Sequence, residues 1–289
     1  MIINYPVKQH IIPKTYLKHF SSGNKQIWLY QKDSSSFREQ QIKNVPIIND
    51  FYTMIDKEND DQKLYILEKF LGESIEPLYT PYIKKIERGL ILTNLEKKEF
   101  SFFIAAQKLR TPKMEKTIIN EIENSFRNDI SGYWIVASDI KKFKLDIFKD
   151  GIKANIEDYK VVVDENKENI ELNIARDCYL QILPDLILKL AEKISKQKWS
   201  YLKIPLKRYV VTSDNPVIFT TETGLNGNIG GYFPLTKQFV LNFDSYEEKV
   251  KTINLNEIKR INHLLVNNSE RFVFGHNEFF LKNIIKKSK

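Results

Sequence analysis

The sequence predicts an α+β fold, with an N-terminal β-hairpin, a largely helical middle and a C-terminal antiparallel sheet packed on the helices. Three observations carry this. Clusters of aromatic and β-branched residues bounded by turn residues occur near both ends of the chain. Apolar residues recur at helical spacing from Leu64 to Phe126 and again from Ile170 to Lys198. The 289 residues are 42% hydrophobic and 28% charged, the balance of a globular chain able to bury a core of its own.

The elements follow in order. Pro13 restricts Ile12 to extended backbone and can occupy the first turn of a helix, so Gln9 and His10 stand just before a short helix. Tyr16, Leu17 and Phe20 share one face of it. Gln26 to Tyr30 is a strand, Ser34-Ser35-Ser36 a turn, and Phe37 to Val45 its hairpin partner. Pro46 to Tyr52 is extended, and Asp56 to Asp61 is an acidic loop. Leu64, Ile66, Leu67, Phe70 and Leu71 begin a helix that Gly72 interrupts, and a second runs from Ile75 to Leu90. Thr93 and Glu96 have the spacing of a capping box, which should open the longest helix of the chain, through Phe100, Phe103, Ala106 and Leu109. Pro112 lacks an N–H and clashes with the preceding turn, so this helix breaks at Arg110-Thr111 and resumes from Met114 to Phe126.

Val161-Val162-Val163 is a short strand. Ile170 to Lys198 reads as one long helix with Pro184 as a kink and Cys178 on its apolar face. Strands are expected at Tyr201–Ile204, Tyr209–Thr212, Val217–Thr220 and Phe239–Phe243, with a Gly/Asn-rich loop from Gly224 to Gly231. A helix from Asn256 to Asn267, a strand at Phe272–Phe274 and a basic terminal helix complete the chain. No internal repeat is present, and one domain over residues 1–289 is expected.

Composition narrows the function. Cys178 is the only cysteine, so a disulfide framework is out and a reducing cytoplasm is the expected location. No secretory leader and no apolar run of about eighteen residues is seen, so no membrane association is expected. The formal charge of +8 points to an acidic partner, RNA or DNA foremost. Only eight of the 45 basic residues are arginine, so distribution matters more than the total. Residues 1–32 carry Lys8, Lys14, Lys18, Lys25 and Lys32 with no carboxylate, and Lys189 to Arg208 holds seven basic residues against Glu192. If the two runs share a face, they would attract a polyanion. The four histidines lack HExxH spacing, no phosphate loop is present, and Ser213 lacks a nucleophile elbow. No cofactor and no metal site is therefore expected.

At three places the residues resemble a known family. Gln9-His10-Ile11-Ile12-Pro13-Lys14-Thr15-Tyr16-Leu17, Phe103-Ile104-Ala105-Ala106-Gln107 with Arg110-Thr111-Pro112, and Thr212-Ser213-Asp214-Asn215-Pro216 are similar, in order and spacing, to signatures of the DUF4238 family of bacterial proteins. Weaker agreements are Trp28 with Tyr30, Asp50-Phe51-Tyr52, Pro234-Leu235 and Asn267 to Gly275. The resemblance spans nearly the whole chain and brings no established catalytic residue with it.

The signatures nonetheless nominate side chains. His10 can shuttle a proton, Arg110 can hold an anion, and Asp214 can orient either. Gln9, Lys14, Gln107, Ser213 and Asn215 would contact substrate. Such a set suits metal-independent cleavage of a phosphodiester, in which a base, an acid and a cation at the developing phosphorane suffice. The expected function is a nucleic-acid-directed phosphodiesterase of ribonuclease type. The alternative is a non-catalytic module that holds nucleic acid or an acidic protein. In its structural form, that alternative pairs Arg110 with Asp214 in the interior and bonds His10 to a carbonyl.

Overall fold

A computed structural model describes residues 7–23, 25–45, 47–56, 62–120, 143–146, 153–156, 159–163, 170–174, 176–222, 229–243 and 245–288. The first half contains β1 (Lys8–His10), α1 (Lys14–Leu17), β2 (Gln26–Gln31), β3 (Ser36–Gln41), β4 (Ile47–Asn49), β5 (Met54–Asp56) and β6 (Gln62–Leu64). It continues with α2 (Ile66–Phe70), α3 (Tyr79–Glu87), α4 (Asn94–Leu109) and α5 over 112–120. Next come β7 (Phe143–Asp146), β8 (Lys153–Ile156), β9 (Tyr159–Val163), β10 (Ile170–Ile174) and α6 (Arg176–Ser195). The C-terminal part holds β11 (Ser200–Lys203), β12 (Thr212–Ser213), β13 (Ile218–Glu222), β14 (Ile229–Thr236), β15 (Phe239–Asn242) and β16 (Lys249–Thr252). The chain closes with α7 (Leu255–Asn268), β17 (Phe272–Gly275) and α8 (Glu278–Ser288).

The α+β class and the helical middle are as expected. The C-terminal sheet is mixed rather than antiparallel: its order is β13-β14-β15-β11-β16, and β16 joins β11 in parallel. The N-terminal hairpin β2–β3 is not a separate unit either. It continues through β17 to β12 in a four-stranded antiparallel sheet, which α8 covers.

Several boundaries also move. Gly72 does not stop the helix; Leu71–Ile75 forms a wider π-type turn and Glu76–Leu78 a 3₁₀ turn, which lead into α3. Residues 170–174 pair with β9 as a strand, so α6 starts only at Arg176, and at 20 residues it exceeds α4 at 16. Strand and helix share apolar content there, and only the pairing partner separates them. The stretch expected as a strand at Tyr209–Thr212 pairs only at Thr212, and Ile229–Gly231, expected as loop, opens β14. The expected helix beyond residue 120, the loop at 223–228 and the side chain of Cys178 lie outside the described residues.

The capping box is formed as read: the Thr93 hydroxyl accepts from the Glu96 N–H while the Glu96 carboxylate accepts from the Thr93 N–H. The break at Pro112 has a visible remedy. A missing N–H and a distorted turn leave carbonyls without helical partners. Tyr179 donates its hydroxyl to the Leu109 carbonyl at 2.6 Å, and Tyr52 donates to that of Arg110 at 3.1 Å. Thr111 then caps α5 by accepting from the Met114 N–H at 3.3 Å.

The core is aromatic. Tyr16 stacks on Phe233 with centroids 5.4 Å apart, and Phe103 lies 4.8 Å from Tyr79 and 5.9 Å from Phe100. Buried hydroxyls need partners. Tyr16 donates to the Pro234 carbonyl at 2.8 Å and shares a bond with the Thr212 hydroxyl at 2.7 Å; Tyr79 donates to the Leu235 carbonyl. Through the Tyr16 ring, 6.4 Å from Phe103, and its hydroxyl on Thr212, the three signature segments meet in one core.

Candidate functional site

β1 pairs with β4 through Gln9↔Ile48 and His10↔Ile47, and strand alternation sends Gln9 inward and His10 toward the rim. Gln9 is fully buried. Its amide donates to the Thr53 hydroxyl at 3.0 Å and accepts from the Tyr52 N–H, so it closes the turn after β4 rather than facing a substrate.

His10 is half-buried and its Nε2 lies 3.1 Å from the Lys43 carbonyl. A carbonyl only accepts, so Nε2 carries the proton and the neutral ring has its lone pair on Nδ1. Burial, followed by the charge of Lys14, holds the imidazole pKa below its ordinary value of 6.5; Glu76 pulls upward and Arg110 downward. The ring is therefore neutral at pH 7, with a basic nitrogen that has no partner among the described residues.

Gln107 and Arg110, three residues apart at the end of α4, face the same way. Arg110 is completely buried. Its Nη1 donates to Glu76 Oε1 at 3.0 Å, and with the Gln107 amide oxygen turned toward the guanidinium, Nε and Nη2 donate to it at 3.3 and 2.9 Å. The interior ion pair is thus with Glu76 and not with Asp214. A guanidinium with no exposed surface cannot clamp a phosphate directly; Arg110 is instead one half of a buried ion pair with Glu76.

The C-terminal signature forms a clasp. Asp214 follows β12, and its carboxylate accepts backbone N–H groups from Glu270 at 2.9 Å, Arg271 at 2.6 Å and Phe272 at 3.0 Å. Only 5% of the residue is exposed; burial pushes its carboxyl pKa up, and the three N–H bonds pull it back. Asn215 donates to the Asn268 carbonyl at 3.2 Å while Asn268 donates to those of Asn215 and Val217 at 2.6 and 3.2 Å. The Ser213 hydroxyl accepts from the Asn215 N–H at 3.2 Å. Ser213, Asp214 and Asn215 therefore lock the α7–β17 turn onto the four-stranded sheet and do not face solvent.

The residue that sequence reasoning missed is Glu68 on α2. It is half-buried; burial, with the Glu76 charge, raises its carboxyl pKa above 4.5, while Arg110 and Lys14 oppose the rise. His10 and Glu68 thus share Lys14, Glu76 and Arg110 as the charges acting on them. Nothing in the spacing of residues 10, 14, 68, 76 and 110 foretells this shared set of charges; Glu68 and Glu76 are two of three glutamates, with Glu73, in a stretch that also carries Lys69, so no local signal singles them out. Lys14, at the start of α1, is the exposed cation of the group. Among the described residues no group of three or more His, Cys, Asp or Glu side chains is placed to hold a metal ion, and no helix is long and apolar enough to cross a membrane.

The chain belongs to the family described as "Protein of unknown function (DUF4238)", whose model matches residues 8–279. No curated protein and no solved structure matches it.

Proposed function

We propose that this protein is a nucleic-acid-directed phosphodiesterase of ribonuclease type, working by acid–base chemistry at the cluster around His10. The observations that carry the reading are a half-buried imidazole whose Nε2 is held by the Lys43 carbonyl, leaving Nδ1 without a partner among the described residues, and a half-buried carboxyl of raised pKa, both acted on by the same three charges, Glu76, Lys14 and Arg110. Groups with pKa values displaced toward each other are the usual material of acid–base sites.

In the reaction, His10 Nδ1 takes the proton from the attacking hydroxyl as its oxygen bonds phosphorus. The Glu68 carboxyl gives its proton to the leaving oxygen as the P–O bond breaks. Lys14 meets the charge on the phosphorane, and the buried Arg110–Glu76 pair, with Gln107 on the guanidinium, sets the fixed charges around the two groups. Asp214 moves in this reading from orienter to scaffold. RNA or DNA is the partner, and a cytoplasmic location accords with a chain whose only cysteine is Cys178.

The test is cleavage of labelled RNA and DNA oligonucleotides by the purified chain, with and without chelator. His10→Ala should abolish cleavage with the melting curve preserved, and Glu68→Gln should slow it about 100-fold or more. No cleavage of either polymer by the wild-type chain would overturn the reading. The burial of Arg110 and Asp214 favours a second one, a non-catalytic module for nucleic acid or an acidic protein, under which binding occurs and no cleavage is seen.

A further inference from the structure

Part of each basic run, far apart in sequence, flanks a single turn. Between β14 and β15, Lys237 donates its N–H to the His19 carbonyl at 3.3 Å and its ammonium to the Ser21 carbonyl at 2.9 Å. On the other side of the same turn, the Val210 N–H donates to the Lys237 carbonyl at 3.1 Å, the Ile204 N–H to that of Gln238 at 2.8 Å, and the Gln238 amide to that of Arg208. Segment 18–21 and segment 203–210 are therefore neighbours across Lys237. Lys18, Lys203, Lys207 and Arg208 are exposed, and Lys237 is half-buried. Neither segment contains a carboxylate. Glu87 stands 3.9 Å from the His19 imidazole.

Aromatic rings are set beside these cations. Tyr209, next to Arg208, lies with its ring centroid 3.8 Å from that of His276 and 5.8 Å from that of Phe280, and all three are partly exposed. The Lys237 charge acts on His276. Leu206, at the tip of the 205–208 loop, is 87% exposed among the cations. Cations on a surface release counterions when they meet phosphates, and half-exposed rings offer faces to unpaired bases, which a duplex keeps stacked inside. An acidic protein would use the cations and leave the rings idle.

We propose that Lys18, Lys203, Lys207, Arg208 and Lys237, with Tyr209 and His276 between them, form a binding face for single-stranded nucleic acid. The inference rests on the nucleic-acid reading above and names the surface that would hold the strand outside the reacting centre. Phosphates run along the cations, and one or two bases lie on the Tyr209 side of the aromatic group.

The test is fluorescence anisotropy of the full chain with a labelled single-stranded RNA of about 12 nucleotides, within the span such grooves cover, over a series of salt concentrations, with cleavage followed in parallel. The combined variant Lys203→Glu, Lys207→Glu, Arg208→Glu changes only exposed side chains and should melt as the wild type does. It should bind at least ~100-fold more weakly, with a salt slope reduced by about two, as losing three phosphate contacts to a single strand requires. Tyr209→Leu should weaken binding about ten-fold with the salt slope unchanged. Wild-type affinity in the triple variant would refute the face; if the wild-type chain still cleaves RNA, the proposed function survives that result. Equal affinity for a duplex of the same length would also refute it, and binding of polyglutamate as tight as that of RNA would assign the face to an acidic protein instead. A wild-type chain that binds no oligonucleotide would remove this inference and the nucleic-acid reading together.

Discussion

Replacing Asp214 separates a scaffold from a reacting group. Its carboxylate accepts three backbone N–H groups, from residues 270, 271 and 272, at 2.6 to 3.0 Å in a place with 5% exposure. Asp214→Ala strands all three donors, and at about 1–3 kcal/mol for each buried donor left without a partner the cost is roughly 3–6 kcal/mol, allowing for some entry of water. Asp214→Asn keeps one oxygen. Placed where Oδ2 now stands, that oxygen holds the Arg271 and Phe272 bonds, while the new amide meets the Glu270 N–H donor to donor, a loss of about 1–3 kcal/mol. Native stability is commonly about 5–15 kcal/mol, so the alanine variant should be close to unfolding and melt roughly 10 °C or more below wild type. Urea and thermal unfolding followed by circular dichroism measure the order wild type, Asn, Ala. An alanine variant within about 0.5 kcal/mol of wild type, the range of an ordinary surface substitution, would refute the clasp and return Asp214 to the list of groups available to substrate.

Three further outcomes follow from the same structure. Gly231→Ala would bring a Cβ to 2.0 Å from the Ile218 carbonyl oxygen and 2.7 Å from the Phe243 ring, so the β13–β14 pair must separate; a loss of about 3 kcal/mol is expected in chemical denaturation. Burial, and after it the Lys237 charge, holds the His276 pKa down at about 4. The unfolded chain then binds the extra proton first, so this contribution to stability is complete above pH 6.5 and is lost as pH falls toward 4. After a discount for partial exposure the loss is on the order of 1 kcal/mol, and His276→Phe should flatten that window in melts taken across the pH range. Under the proposed mechanism cleavage needs His10 deprotonated and Glu68 protonated. With the first pKa lowered and the second raised, the rate profile should be bell-shaped, and Glu68→Gln should remove the alkaline limb.

Local rules read well wherever one segment contains all the partners. The Thr93–Glu96 capping box, the break at Pro112 and the helical start after Pro13 need only near neighbours, and each stands where the sequence put it. Two of the misreadings share a cause. Residues 170–174 carry apolar positions that suit strand or helix, and Ile229-Gly230-Gly231 reads locally as loop; pairing with β9 and with β13, respectively, selected the strand. The parallel joining of β16 to β11 likewise depends on a partner 49 positions away, as in Ser200↔Lys249.

The site divides in the same way. The side-chain types in the three signatures announced polar groups with demanding surroundings, and the shared basicity of residues 1–32 and 189–208 announced a charged surface. Which polar group faces what was set by the tertiary structure. Arg110 lies with Glu76 and Gln107, Asp214 holds the backbone of residues 270–272, and His10 shares its charged neighbours with Glu68. The sequence by itself determined the α+β class, the helix boundaries at Thr93 and Pro112 and the family, because backbone preference and apolar period act over a few residues. Only the tertiary structure decided the ion-pair partners, the burial that moves each pKa and the meeting of the two basic runs across Lys237, because electrostatics and desolvation act through space and not along the chain.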